Sequence, residues 1–254
     1  EFDRTGGASI NQEVYQIERE GMMKADAVVA GSQWTKNMIV QHYDIPSEKI
    51  TVVHNGIDAS DFRPLPDRLA AFKRTGGKIV LFVGRITLQK GPDYFVRAAK
   101  RVLELEPKVY FLIAGSGDME GQVLREAAAL GIADRVIFTG FVRGAELEAL
   151  YQSADLYVLP SGSEPFGITP LESLVNGTPV IISYQSGVAE VLRHALKVDF
   201  LDTDELANQI ITVLRHPPLQ QTLKQYGCEE VRRITWTAAA QKCLALYHSL
   251  LCPT

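Results

Sequence analysis

The sequence predicts an α/β protein built on a doubly wound parallel sheet, and three observations carry that expectation. Short apolar runs recur between residue 78 and about residue 215, amphipathic stretches separate them, and the runs are apolar throughout rather than alternating. A strand that is apolar on both faces is covered on both faces, as in a parallel sheet between two helix layers. Six such runs with intervening helices fit the doubly wound architecture, in which ligands lie beyond the carboxyl ends of the strands.

The first run, 78–84, is β-branched and aromatic, and 92–105 then place Phe95, Val96, Ala99, Val102 and Leu103 at helical spacing. Further strands are expected at 109–115, 135–138, 155–159, 179–182 and 197–201, with helices at 119–130, 144–153, 170–176, 188–194 and 204–215. The first sixty residues differ. Stretches 11–24 and 33–43 look helical, 26–30 and 50–53 are short strands, and Asn55-Gly56-Ile57-Asp58 is a turn. Two short strands cannot bury a core of their own, so this piece reads as the end of another domain. The expected organisation is 1–58 as that remnant, 59–77 as a linker with Pro64 and Pro66 in its extended part, and 78–235 as the ligand-binding domain. Residues 236–254 form a last helix, striped by Trp236, Ala240, Cys243, Leu244, Tyr247 and Leu251, that packs back toward the first piece.

Composition narrows the function classes. With 46% apolar residues the chain is an ordinary globular protein, and disorder is excluded. Its net charge of −4 offers no field for a polyanion, which argues against nucleic acid as a partner. No apolar run approaches the roughly 18 residues of a membrane-spanning helix, and no leader pattern opens the chain, so the cytoplasm is the expected address. Cys228, Cys243 and Cys252 lack metal-ligand or disulfide spacing, and the five histidines are scattered, so no metal site and no cofactor is expected. Any phosphate site must be local.

Four segments at strand ends could carry chemistry. Gly84-Arg85 and Lys90-Gly91 flank the loop after the first strand, which lacks both the dinucleotide and the P-loop glycine patterns. A guanidinium and an ammonium at a sheet edge suit a diphosphate, although both also occur in plain surface loops. Gly115-Ser116-Gly117-Asp118 either lets backbone approach a ligand or makes a tight turn with Asp118 as a helix cap. The most informative segment runs from Ser161 to Ser173 and holds Glu164, Pro165, Phe166, Gly167, Thr169 and Glu172. Thr169 and Glu172 match a capping box, which accounts for Glu172 but not for Glu164. Glu164 is better explained as a carboxylate presented to sugar hydroxyls. Asp202-Thr203-Asp204 resembles a metal–diphosphate pattern but is explained more simply as a helix cap, and Glu190 is a further carboxylate near the strand edge.

Taken together, Val83-Gly84-Arg85 with Lys90-Gly91, Gly140-Phe141-Val142, Glu164-Pro165-Phe166-Gly167 with Glu172, and Ser186-Gly187 with Glu190 resemble the donor-binding half of retaining glycosyltransferases of family four and the related bacterial glycogen and starch synthases. The resemblance implies a GT-B fold whose acceptor domain is represented here only by residues 1–58. It implies a nucleotide diphosphate sugar (ADP-, UDP- or GDP-linked) as donor and a glycan acceptor held by the missing domain. The transferred hexose would be glucose, on the glycogen-synthase-like look of Glu1 to Gly7 and of the junction. Arg85, Lys90 and Glu164 would be catalytic, the two cations on the diphosphate and Glu164 on the sugar. Glu172 would take the ribose, Gly84 and the backbone of Gly167, Ile168 and Thr169 would meet phosphate and sugar, and Val142 would lie near the base. A nucleotide-sugar epimerase, a glycan phosphorylase and a non-catalytic nucleotide-sugar binding module remain alternatives on the same architecture.

Overall fold

The computed structural model describes residues 11–58 and 76–251. The strands β3 (Lys78–Val83), β4 (Val109–Ala114), β5 (Val136–Gly140), β6 (Leu156–Leu159), β7 (Val180–Ser183) and β8 (Leu196–Val198) form one sheet in the order β5-β4-β3-β6-β7-β8. Every neighbouring pair is parallel, as the doubly apolar runs require. The strand order reverses between β3 and β6, so the crevice of this sheet opens where their carboxyl ends diverge.

Helices α3 (Pro92–Leu105), α4 (Glu120–Ala129), α5 (Ala145–Ser153) and α6 (Thr169–Val175) form crossovers, and α7 (Thr203–Arg215) follows β8 and packs against α3. On one face of the sheet Phe95 of α3 packs against Phe82 and Phe111, with ring centroids 5.7 and 5.4 Å apart. All three are fully buried, and each contributes roughly 1.5–3 kcal/mol of transfer free energy. The other face buries Tyr151 and Tyr157 among Leu159, Leu171 and Ile182. Asp202 caps α7, accepting from Glu205 N at 2.9 Å, while Asp204 pairs with Arg101 at 2.6 Å, which is the helix-cap explanation of that acidic triplet.

Two expectations need correction. The helix expected over 188–194 is a single 3₁₀ turn, Gly187–Glu190. Beyond it, Arg193 N and His194 N donate to the Glu230 carboxylate at 2.9 and 3.0 Å, so they cannot continue a helical ladder. That carboxylate belongs to α8 (Pro217–Val231), a helix the apolar spacing did not announce. β8 also begins one residue before the expected run and ends at Val198.

In the first piece, α1 (Gln12–Lys24), β1 (Val28–Ala30), α2 (Gln33–Tyr43) and β2 (Ile50–Val52) appear at the expected places, and β1 pairs with β2 in a separate parallel ribbon. Its small core is Ala30, Ile45 and Ile50. Ile57 N bonds to Ile234 O at 3.0 Å, so the chain leaving this piece touches the start of α9 (Trp236–Leu251). No residue of α9 is buried. The expected linker lies largely outside the described residues, as do Glu1 to Gly7. Among the described residues no helix is long and apolar enough to cross a membrane.

Candidate functional site

At the reversal point the loops after β3 and β6 come together. Gly162 N donates to Gln89 O at 3.0 Å, which joins them through the backbone. The short 3₁₀ turn Leu88–Lys90 then delivers Lys90 Nζ to the Glu164 carboxylate, with side chains only 16% and 9% exposed. An ion pair this sheltered from water is weakly screened, and each partner holds the other where it is. Arg85 stands nearby and exposed, donating to Gln89 Oε1 at 3.2 Å.

Beside this pair lies a cleft of ≈ 500 Å³ whose wall includes Gly84, Arg85, Phe141, Val142, Thr169 and Glu172. Five residues expected at the site therefore share one cavity. Lys90 adjoins it, because its aliphatic stem runs about 3.9 Å from where a side chain on Gly84 would begin. Gly167 sits behind Glu164, with φ +97° and only 3.2 Å between a notional Cβ and Glu164 Cγ. Ile168 precedes α6 and accepts from Glu172 N at 3.0 Å. Arg85 and Glu164 thus lie on one side of the molecule, at one strand edge.

The capping box does not form. Ile168, not Thr169, is the cap position of α6, and no side chain caps that end. Thr169 Oγ1 instead accepts from Tyr157 OH at 2.7 Å, and Glu172 accepts from Tyr151 OH at 2.8 Å. Neither side chain faces the backbone amides, because two buried phenols claim them first. Burial pushes both tyrosines well above the usual phenol range, and for Tyr151 the neighbouring Tyr157 and Glu172 add to it. Both therefore remain hydrogen-bond donors at physiological pH, and Tyr151 fixes Glu172 as an acceptor facing the cleft. Neither tyrosine belongs to a motif in the sequence. The available signal was a phenol inside an apolar run, since a buried hydroxyl must find a partner.

The glycine turn after β4 is a close approach rather than a helix cap. Asp118 caps nothing, and Met119 precedes α4. A Cβ on Gly115 would stand 1.9 Å from Gly84 O, and one on Gly117 2.3 Å from Ile86 O. Ile86 N donates to Ser116 O at 3.0 Å across the same gap. Bare backbone here is what lets the Arg85 loop lie flat against the end of β4. Glu190 turns away from the cleft: its carboxylate accepts from Gln33 N at 2.8 Å and Trp34 N at 2.5 Å.

Residues 67–230 match the family described as glycosyl transferases group 1, and residues 8–61 match glycosyltransferase family 4. An uncharacterized glycosyltransferase of Methanocaldococcus jannaschii is 36% identical over 76% of this chain and 52% of its own length. Mannosylfructose-phosphate synthase of Agrobacterium fabrum is 31% identical over 87% of the chain and 52% of its own. D-inositol 3-phosphate glycosyltransferase of Segniliparus rotundus is 31% identical over 95% of the chain and 57% of its own. The chain thus spans about half the length of the curated relatives it matches. Among solved structures, sucrose-phosphate synthase of Thermosynechococcus elongatus superposes with a TM-score of 0.83 at 26% identity, covering 98% of this chain and 64% of that one. Anabaena HepE in complex with UDP-glucose superposes with a TM-score of 0.83 at 21% identity, covering 94% and 68%. The chain belongs to the glycosyl transferases group 1 family.

Proposed function

We propose that this chain is the donor-binding half of a retaining glycosyltransferase that moves a hexosyl group from a nucleotide diphosphate sugar to an acceptor hydroxyl. The observation that carries the reading is the convergence of Arg85, Lys90, Glu164 and Glu172 on one edge of the sheet, at the reversal of strand order where such sheets bind ligands. Breaking the bond between the sugar's anomeric carbon and the diphosphate leaves the electron pair on the diphosphate. Arg85 and Lys90 offset that charge, and preorganised cations of this kind lower the barrier by a few kcal/mol. Glu164 takes sugar hydroxyls, Glu172 takes the ribose, and Val142 lies by the base. Gly84, Gly167, Ile168 and Thr169 supply backbone around phosphate and sugar. The acceptor is held by a domain to which residues 1–58 belong, with 59–77 as the linker, 78–235 as the donor domain and 236–254 as the helix that returns.

The finer reading is glucosyl transfer to a glycan, as in glycogen synthases. A second reading is transfer to a small phosphorylated acceptor, favoured by the names of the mannosylfructose-phosphate synthase and D-inositol 3-phosphate glycosyltransferase relatives. Calorimetric titration with UDP, ADP and GDP tests the common part. One of them binds, and Arg85→Ala weakens it at least about tenfold, the value of one lost charge-assisted hydrogen bond. No binding by any of the three, or an unaffected Arg85→Ala, sinks the assignment.

A further inference from the structure

The first piece, which carries no part of the cleft wall described above, is fastened to the loop that carries Glu164. Ser32 Oγ donates to Pro165 O at 2.6 Å, and Thr35 Oγ1 donates to the same carbonyl at 2.9 Å. The His54 ring lies 5.8 Å from the Phe166 ring, between centroids. Ser32 is fully buried, and a Cβ on Gly187 would stand only 2.4 Å from Ser32 Cβ, so the two pieces meet backbone to side chain with no slack. Glu190 closes the contact: its two oxygens accept from Gln33 N and Trp34 N, the first amides of α2, and Oε2 lies 3.1 Å from His54 Nε2. A carboxylate there satisfies orphan amides and sits favourably in the helix dipole. The turn that carries Glu190 is bonded in turn to the 164–167 loop, through Gly187 N to Glu164 O at 2.9 Å and Val188 N to Phe166 O at 2.7 Å. Glu190, α2 and the 164–167 loop therefore form a closed ring of contacts.

We propose that Glu190 and Ser32 are positioning residues, which act through the amino-terminal end of α2 to hold the 164–167 loop and so set the grip of Glu164 on the donor's sugar more than the hold on its nucleotide. The proposal rests on the donor-binding reading for the sugar, but the clamp itself does not. Deletion of a helix cap that is only structural lowers stability and affects every ligand alike. Removal of the clamp acts chiefly on the sugar, because Arg85, Glu172 and Val142 reach the cleft from β3, α6 and β5 without touching α2, and only Lys90, through its pair with Glu164, couples the loop to the diphosphate.

The test uses the chain with Glu190→Gln and Ser32→Ala, both near-isosteric, and checks folding by far-UV circular dichroism. Amide hydrogen exchange is read at Glu164, Gly187 and Val188. Both variants speed exchange there while leaving 84–86, which is tied to the end of β4, as in the unaltered chain; unchanged protection at the three amides overturns the clamp whatever the chain binds. Calorimetry then compares UDP with UDP-glucose, ADP with ADP-glucose and GDP with GDP-mannose. For the pair that binds, both variants weaken the sugar nucleotide about tenfold and the bare nucleotide about threefold or less, the part that passes through Lys90. Equal losses for the two ligands, or none for either, overturn the proposal. Faster exchange at the three amides in a chain that binds none of the six keeps the clamp and removes the donor reading instead.

Discussion

Replacing Gly115 by alanine puts the close approach of the β3 and β4 loops to a quantitative test. The new Cβ would begin 1.9 Å from Gly84 O, and real Cβ atoms stay beyond 3.0 Å, so the loops must part by about 1.1 Å. Gly115 also has φ +142°, a sparsely populated conformation that costs an alanine about 1–3 kcal/mol. Forced repacking adds about 1–3 kcal/mol, for a total of about 2–6 kcal/mol. Gly131→Ala is the matched control, because φ there is +70° but nothing lies within 4 Å. It carries the conformational cost alone, about 1–2 kcal/mol. Urea unfolding followed by tryptophan fluorescence measures both, and the excess at Gly115 isolates the steric part. Because Gly84 and Arg85 line the cleft, Gly115→Ala also weakens nucleotide binding while Gly131→Ala does not. Equal stability losses at the two positions, or full nucleotide affinity in Gly115→Ala, would refute the close-approach reasoning.

Other outcomes follow from the same geometry. Tyr151→Phe removes the hydrogen bond to Glu172, so the chain loses about 1.5–3 kcal/mol in urea unfolding and the ribose hydroxyls lose a fixed acceptor. A 2′-deoxynucleotide should then lose less affinity than the ribonucleotide, and equal losses would remove Glu172 from the ribose. Acid stability should depend on Glu230. Burial alone would raise its carboxyl, but hydrogen bonds from His194 N, His194 Nδ1 and Arg193 N outweigh that and hold it below its usual 4.5. A group depressed on folding contributes stability fully above its unfolded pKa and loses it as pH falls through the folded value. The unaltered chain therefore loses more stability than Glu230→Gln as pH is lowered below about 4.5, and parallel curves would contradict this.

Much of the fold was legible because strands buried on both faces leave an unambiguous mark. The runs at 78–84 and 109–115 correspond to β3 and β4 almost residue for residue, and α3 spans the residues its apolar spacing indicated. The edge of the sheet was less legible: β8 has three residues, only Val198 of them buried, so little hydrophobic pattern exists to read. Helix α8 escaped notice because it buries only Leu223, Gly227 and Val231 across fifteen residues and opens on two prolines. At the site, the position of the Lys90 and Glu164 loops at strand ends was legible, but their ion pair was not, because it joins side chains 74 residues apart. Nor were the roles of Thr169 and Glu172 at α6, since a local capping pattern lost to Tyr157 and Tyr151, partners that only the tertiary fold supplies. Glu190 was legible as a carboxylate near the edge, but its partners at Gln33 and Trp34 lie more than 150 residues away.

A crystal structure of the chain soaked with its best-binding nucleotide sugar tests the donor site most directly. The expected difference density has the diphosphate against Arg85 and Lys90, the ribose on Glu172 and the sugar beside Glu164. Density that seats the nucleotide elsewhere, with the Lys90–Glu164 edge empty, would contradict it.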